Sequence, residues 1–194
     1  MTVIRAFVAI NVSSEIQSRL DKVIGDLRKK MPDGAVRWVL ASNLHLTLKF
    51  LGDVSVANLK VLQEVLQNEI SHHRAVEISV GGLGAFPSSR RARVIWSGVE
   101  APPELGAIQA GIENELARLG YAREERAFSP HLTLGRVSRN ASQEEIRQIG
   151  DVLCNTKVGF LGAAAVDAVH LYQSDLRPEG SMYTCLFSAP LRAA

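Results

Sequence analysis

One pattern of histidine and threonine occurs twice: residues 45–48 read His45-Leu46-Thr47-Leu48, and residues 131–134 read His131-Leu132-Thr133-Leu134. In an extended strand successive side chains point to opposite faces, so each histidine shares a face with the threonine two residues on while the leucines fill the other face. Imidazole can both accept and donate a proton near neutrality. Two imidazoles facing one substrate can therefore act as base and acid in a single step. On a phosphodiester, one takes a proton from the attacking water or hydroxyl and the other protonates the leaving oxygen, with no metal required. The threonine hydroxyls lie about 6.6 Å along the strand from their histidines, within range to hydrogen-bond non-bridging oxygens and stabilise developing charge.

Plainer readings compete with this one. A single such tetrapeptide describes any strand with one polar face. Duplication for packing alone would account for the repeated leucines, but not for histidine and threonine repeated on the opposite face. A zinc site is disfavoured because only two histidines are placed, no HExxH or Asp/Glu triad accompanies them, and structural sites want four ligands.

The elements that must position the two motifs follow from periodicity. Val3 to Asn11 reads as a strand, and Ser13-Ser14 as the cap of a helix to about Lys30 with Ile16, Leu20, Val23 and Leu27 on its buried side. Val36 to Val39 is a short strand. Leu44 to Leu51 is the first motif strand, closed by Gly52-Asp53, after which Ser55 is placed to cap a helix with the stripe Leu59, Leu62, Leu66 and Ile70. Alternation resumes at Val76, and Gly81-Gly82-Leu83-Gly84 suggests a bulged strand, because no helix or GK[ST] follows as a phosphate loop would require. Three arginines, Arg90, Arg91 and Arg93, occupy the turn before the strand Val94 to Val99. Pro102-Pro103 opens a helix with the stripe Leu105, Ile108, Ile112, Leu116 and Leu119, ended by Gly120. Phe128-Ser129-Pro130 leads into the second motif, and Ser142 with Glu145 forms a capping box for a fourth helix. Lys157 to Phe160, Val166 to Gln173 and Met182 to Phe187 complete the strands, with Arg177-Pro178-Glu179-Gly180 as a hairpin turn.

The order strand, helix, motif strand, helix, strands thus appears twice, like a degenerate duplication. The expected fold is α+β and bilobal: two pseudo-symmetric lobes of antiparallel sheet with helices packed outside and a cleft between them, forming one domain over residues 1–194. The 194 residues, 46% hydrophobic and 22% charged, suit such a globular domain. A net charge of +2 permits an anionic ligand but argues against a broad nucleic-acid-coating surface. Cys154 and Cys185, without CxxC or ligand spacing, are expected to be reduced, buried and unlinked. The start of the chain lacks a basic leader with a cleavage site, and no apolar run is long enough to span a bilayer, so a cytoplasmic location is expected.

The chain resembles the 2H phosphoesterases, named for two H-x-[T/S]-x motifs, and within them the RNA 2′,3′-cyclic phosphodiesterases, also called 2′-5′ RNA ligases. Arg5-Ala6-Phe7-Val8-Ala9-Ile10, Asn43-Leu44-His45-Leu46-Thr47-Leu48-Lys49-Phe50-Leu51-Gly52 and Gly84-Ala85-Phe86-Pro87 carry the resemblance in the first half. Pro130-His131-Leu132-Thr133-Leu134-Gly135-Arg136, Leu171-Tyr172-Gln173-Ser174 and Tyr183-Thr184 extend it nearly to the end. The resemblance implies a metal-independent and cofactor-free site between the lobes, with His45 and His131 as the acid/base pair, and Thr47, Thr133 and Arg136 binding the phosphate. It implies opening of a 2′,3′-cyclic phosphate on an RNA end to a 2′-phosphate, with a reverse joining activity. RNA ends are then the expected partner, with no membrane association, and the chain is expected to act as a monomer. Strict alternation would put Arg136 on the leucine face, so its role needs a bend or bulge after Gly135. Alternatives in other classes are a non-catalytic RNA-end or nucleotide-binding module and a two-histidine enzyme acting on small cyclic nucleotides. Arg90, Arg91 and Arg93 read as a solvated loop before they read as RNA contacts. Lys49 is placed by alternation on the histidine face, reaching the cleft or solvent. Phe7, Trp38 and Phe128 are expected in the core, His72 and His73 on the surface, and His170 in a structural role.

Overall fold

Strand and helix patterns in the chain resolve into the following order in a computed structural model, which describes residues 2–177 and 180–193. The elements are β1 (Val3–Asn11), α1 (Ser14–Lys30), β2 (Val36–Trp38), β3 (His45–Ser55), α2 (Leu59–Ile70), β4 (Val76–Phe86) and β5 (Val94–Glu100). They continue with α3 (Pro103–Arg118), β6 (His131–Val137), α4 (Gln143–Asn155), β7 (Phe160–Val166), β8 (Ala168–Arg177) and β9 (Gly180–Pro190). Local chemistry explains the helix ends. Ser13 Oγ accepts from the Ile16 amide to start α1, and Ser142 and Glu145 form a reciprocal capping box at α4. Arg28, Lys29 and Lys30 occupy the last turn of α1, where cations suit the helix dipole. Among the described residues no helix is long and apolar enough to cross a membrane.

All ladders between these strands are antiparallel, in the path β7-β4-β5-β6-β3-β1-β8-β9, with β2 also paired to β6. The α+β, two-half antiparallel architecture expected from the repeat is therefore present. A pseudo-two-fold exchanges β3 with β6, β1 with β5, β8 with β4 and β9 with β7. The halves are not contiguous in sequence: β4, which follows α2, crosses to pair with β5, while β8, which follows α4 and β7, crosses to pair with β1. The two motif strands are neighbours in one sheet, joined at Leu46 opposite Leu132.

Both motif strands carry a bulge at the same place. On β3, Thr47 pairs with Ala9 and Lys49 with Val8, so Leu48 is the extra residue. On β6, Thr133 pairs with Trp96 and Gly135 with Ile95, so Leu134 is extra. Alternation is broken there: Leu48 and Lys49 are both buried and Phe50 is exposed, and likewise Leu134 and Gly135 are buried and Arg136 is exposed.

Several local expectations change. β3 does not stop at Gly52-Asp53 but runs to Ser55 through a second irregularity, where Gly52 adopts φ +68°, a left-handed conformation that favours glycine. Ser55 makes no side-chain cap, because a 3-10 turn over Val56–Asn58 precedes α2. Leu119 lies past the end of α3 and is 40% exposed. The strand expected from Lys157 begins only at Phe160, and α4 extends to Asn155. The Gly81–Gly84 segment is a bulged strand as expected. Cys154 and Cys185 are free, but both are exposed: Cys154 falls outside the buried stripe of α4, and Cys185 lies on the edge strand β9. Of the expected hairpin turn, Pro178 and Glu179 lie outside the described residues.

Lys49 does not reach the cleft face as alternation implied. The bulge turns it toward α3, where its ammonium donates to Glu113 Oε2 at 2.6 Å and to the carbonyl of Ala122 at 2.8 Å. The two side chains are only 2% and 10% exposed. Removing one partner of such a pair leaves a buried charge uncompensated, so Lys49→Ala is expected to lower the unfolding free energy by about 3–5 kcal/mol. Urea unfolding checks this, and a loss below about 1 kcal/mol, the surface-pair range, would show that the pair is not shielded as its burial implies.

Candidate functional site

The single pairing of Leu46 with Leu132 sets the register of the site. One residue to either side, His45 stands across from Thr133 and Thr47 across from His131, all four on the face opposite the buried leucines. Two adjoining cavities open on this face. One, of about 840 Å³, is lined by His131 together with Phe86, Phe128, Arg93 and Arg126; the other, of about 440 Å³, is lined by His45 together with Asn43, Tyr183, Arg5, Arg37 and Arg139. Thr47, Thr133, Phe50 and Arg136 line both, so they form the floor between the two histidines. The structure thus brings together His45, Thr47, His131, Thr133 and Arg136. Arg136 reaches this face because of the bulge at Leu134, one residue earlier than Gly135.

The histidines are held in the same way. His45 Nδ1 lies 2.7 Å from the carbonyl of Asn43, and His131 Nδ1 lies 2.7 Å from the carbonyl of Ser129. A carbonyl only accepts, so each Nδ1 carries the proton and donates, leaving each Nε2 free to exchange a proton with a ligand. Asn43 is itself fixed by its side-chain amide, which donates to the Ser181 carbonyl on β9 at 2.7 Å.

Aromatic side chains back both imidazoles. His45 stacks on Phe7 with centroids 4.7 Å apart and meets the edge of Tyr183 at 5.1 Å. His131 meets Phe86 edge-on at 4.9 Å, and Trp96 lies behind at 6.4 Å. Trp96 in turn lies over Gly84, where an added Cβ would sit 2.3 Å from its ring. Burial pushes the His45 imidazole below its ordinary 6.5, the Asn43 hydrogen bond offsets part of this, and the Arg136 guanidinium lowers it further.

The remaining sequence candidates divide clearly. Arg93 lines the larger cavity, whereas Arg90 and Arg91 do not. Phe7 is buried behind His45, Phe128 lines the larger cavity, and Trp38 packs over Gly135. His73 pairs with Glu69 at 2.9 Å and His72 is exposed, while His170 lies 2.8 Å from the Ser188 hydroxyl, away from both cavities. Among the described residues no group of three or more His, Cys, Asp or Glu side chains is placed to hold a metal. Sequence reasoning missed Phe50, 64% exposed on the floor of both cavities. Its signal was the repeat itself, since Phe50 and Arg136 are each the fifth residue after a histidine and follow equivalent bulges.

Residues 2–177 match the profile of the 2′-5′ RNA ligase superfamily. An RNA 2′,3′-cyclic phosphodiesterase of Methanothermobacter thermautotrophicus is 34% identical over 93% of this chain and 95% of its own. One of Thermotoga maritima is 33% identical over 94% of this chain and 93% of its own. The crystal structure of Escherichia coli LigT complexed with 3′-AMP superposes with a TM-score of 0.78 at 29% identity, covering 98% and 99% of the two chains. With the paired motifs on one face of a two-half antiparallel sheet, this chain belongs to the 2′-5′ RNA ligase superfamily.

Because burial and Arg136 both disfavour its cation, His45 is expected to titrate below 6.5 by NMR and to move upward in Arg136→Gln. A wild-type titration at or above 6.5 would contradict the buried environment described.

Proposed function

We propose that the protein is an enzyme that opens terminal 2′,3′-cyclic phosphates on RNA to 2′-phosphates by metal-independent two-histidine catalysis. The observation that carries this reading is the register at Leu46 and Leu132, with two Nδ1-anchored histidines and two threonines on one face of adjoining strands. The name shared by relatives at 34% and 33% identity over nearly the full length supports the substrate class.

In this reading His45, whose cation is disfavoured, is the base. Its Nε2 removes a proton from water as the oxygen attacks phosphorus, and His131 delivers a proton to the departing 3′-oxygen. Thr47, Thr133 and Arg136 hold the non-bridging oxygens and stabilise the charge that grows on them. With a 5′-hydroxyl in place of water, the same step forms a 2′-5′ phosphodiester, which accounts for the joining activity. The protein then works as one cofactor-free domain over residues 1–194, as a monomer in the cytoplasm.

His45→Ala and His131→Ala are each expected to reduce opening of a cyclic-phosphate RNA end by roughly 10²–10⁴-fold, with circular dichroism unchanged. Full activity in either variant would sink the two-histidine mechanism. A protein that retains such RNA without turning it over under any condition would instead be a binding module. Turnover is expected to persist in EDTA, and loss on chelation restored by zinc would favour a metal site. The acid limb of kcat/KM should fall below pH 6.5, because the base is lost only as pH drops through the lowered His45 value.

Phe50→Ala is expected to weaken binding of an oligonucleotide end by about tenfold, within the range of one lost base stack. Comparing rates on an oligonucleotide end and on a mononucleotide cyclic phosphate separates an RNA enzyme from one built for small cyclic nucleotides.

A further inference from the structure

We propose that the cavity beside His45 is a subsite for a second RNA strand ending in a 5′-hydroxyl, whose first phosphodiester is held by Arg5, Arg37 and Arg139. The proposal rests on the cyclic-phosphodiesterase reading and adds to it where the attacking strand binds. Four arginines line this 440 Å³ cavity: Arg5 from β1, Arg37 from β2, Arg136 from β6 and Arg139 just beyond it. No aspartate or glutamate lines it. Among the described residues none of the four makes an ion pair, although Asp53 stands across the ladder from Arg5. On the His131 side, by contrast, Lys49 is neutralised by Glu113 and Arg126 by Glu124.

Arg37 and Arg136 stand directly opposite each other across the β2–β6 ladder. Like charges in that position destabilise a sheet unless an anion lies between or beside them. The reacting phosphate satisfies Arg136 and leaves three guanidinium groups with nothing to bind. Guanidinium groups match phosphate oxygens in bidentate geometry, so three of them around an acid-free pocket fit a second phosphate group.

Which strand this phosphate belongs to follows from the direction of the reaction. The nucleophile approaches phosphorus opposite the departing 3′-oxygen. The leaving oxygen stays on its own ribose, so the nucleoside carrying the cyclic phosphate lies on the His131 side, in the larger cavity with Phe86 and Phe128. The nucleophile arrives from the His45 side. If it is a 5′-hydroxyl, its proton passes to His45 Nε2, the phosphorus–O5′ bond forms, the phosphorus–O3′ bond breaks, and O3′ takes a proton from His131. A cyclic diester becomes a linear 2′-5′ diester of the same charge, and no other reactant is consumed.

The test measures the ratio of joined to hydrolysed product from an oligonucleotide ending in a 2′,3′-cyclic phosphate. Two acceptors are compared at equal concentration: a 5′-hydroxyl dinucleotide with one phosphodiester, and a nucleoside with none. The wild-type protein is expected to favour joining of the dinucleotide by about tenfold or more, the equivalent of one charge-assisted contact. In the double variant Arg5→Gln/Arg37→Gln that preference should largely disappear. Equal ratios for the two acceptors in the wild type would overturn the proposal while leaving the hydrolytic reading intact. It would also be overturned if the variant raised KM for an oligonucleotide end but not for a cyclic mononucleotide, with the acceptor preference unchanged, because the cavity would then hold the donor strand's own phosphate. Failure of the wild type to open any cyclic phosphate would defeat the underlying reading, and the proposal with it.

Discussion

The site depends on one short contact, the antiparallel pairing of β3 and β6 at Leu46 and Leu132. A general acid and a general base serve one reaction only if both reach the same atom, and these two histidines are far apart in the chain. Adjacent strands bring them onto one surface at a spacing set by the ladder. The leucines make that spacing unique. Leu46, Leu48, Leu132 and Leu134 are all buried in the core. Slipping the register by one residue would turn this apolar set to solvent and push two imidazoles and two hydroxyls into the interior, so the hydrophobic face fixes the polar one.

The repeat builds a symmetric scaffold that then carries an asymmetric site. Both motif strands bulge after the second leucine, and both histidines donate Nδ1–H to the carbonyl two residues back. What the bulges deliver differs. One exposes Phe50 and buries Lys49 against Glu113, whereas the other exposes Arg136 and buries Gly135 beneath Trp38. The aromatic beds differ too, with a stacked Phe7 behind His45 and an edge-on Phe86 beside His131. A substrate that binds in one orientation needs such inequality, because two identical half-sites would accept it either way round.

Much of this was legible in the amino-acid order, for a physical reason: burial forces periodicity. The helix from Ser14 to Lys30 and the capping box at Ser142 follow from local chemistry, and the duplicated His-Leu-Thr-Leu reports a shared face because strand geometry alternates. What could not be read was whatever depends on a partner strand. A bulge exists only relative to its neighbour, so Leu48 and Leu134 look like ordinary strand residues, and alternation assigned Lys49 and Arg136 to the wrong faces. For Arg136 only the family resemblance pointed to the face on which the bulge puts it. The crossing of β4 and β8 between halves was hidden for the same reason, since repeat order does not say which repeat a final strand will join.

Electrostatics shows how weak a guide bulk composition can be. A net charge of +2 argued against a broad nucleic-acid surface, and that argument holds, because cations and anions are interspersed over most of the molecule. Helix surfaces spend their carboxylates locally: Glu15 on Arg19, and Glu144 and Asp151 on Arg147. Such exposed pairs contribute little to stability, but they neutralise the outer faces of the helices. The arginines of the sheet face have no such partners, so a modest total charge is concentrated in one trough. There the low-dielectric walls of the cavity strengthen each guanidinium–phosphate contact beyond its value in water. Recognition of a nucleic-acid end requires that kind of local field, and net charge does not measure it.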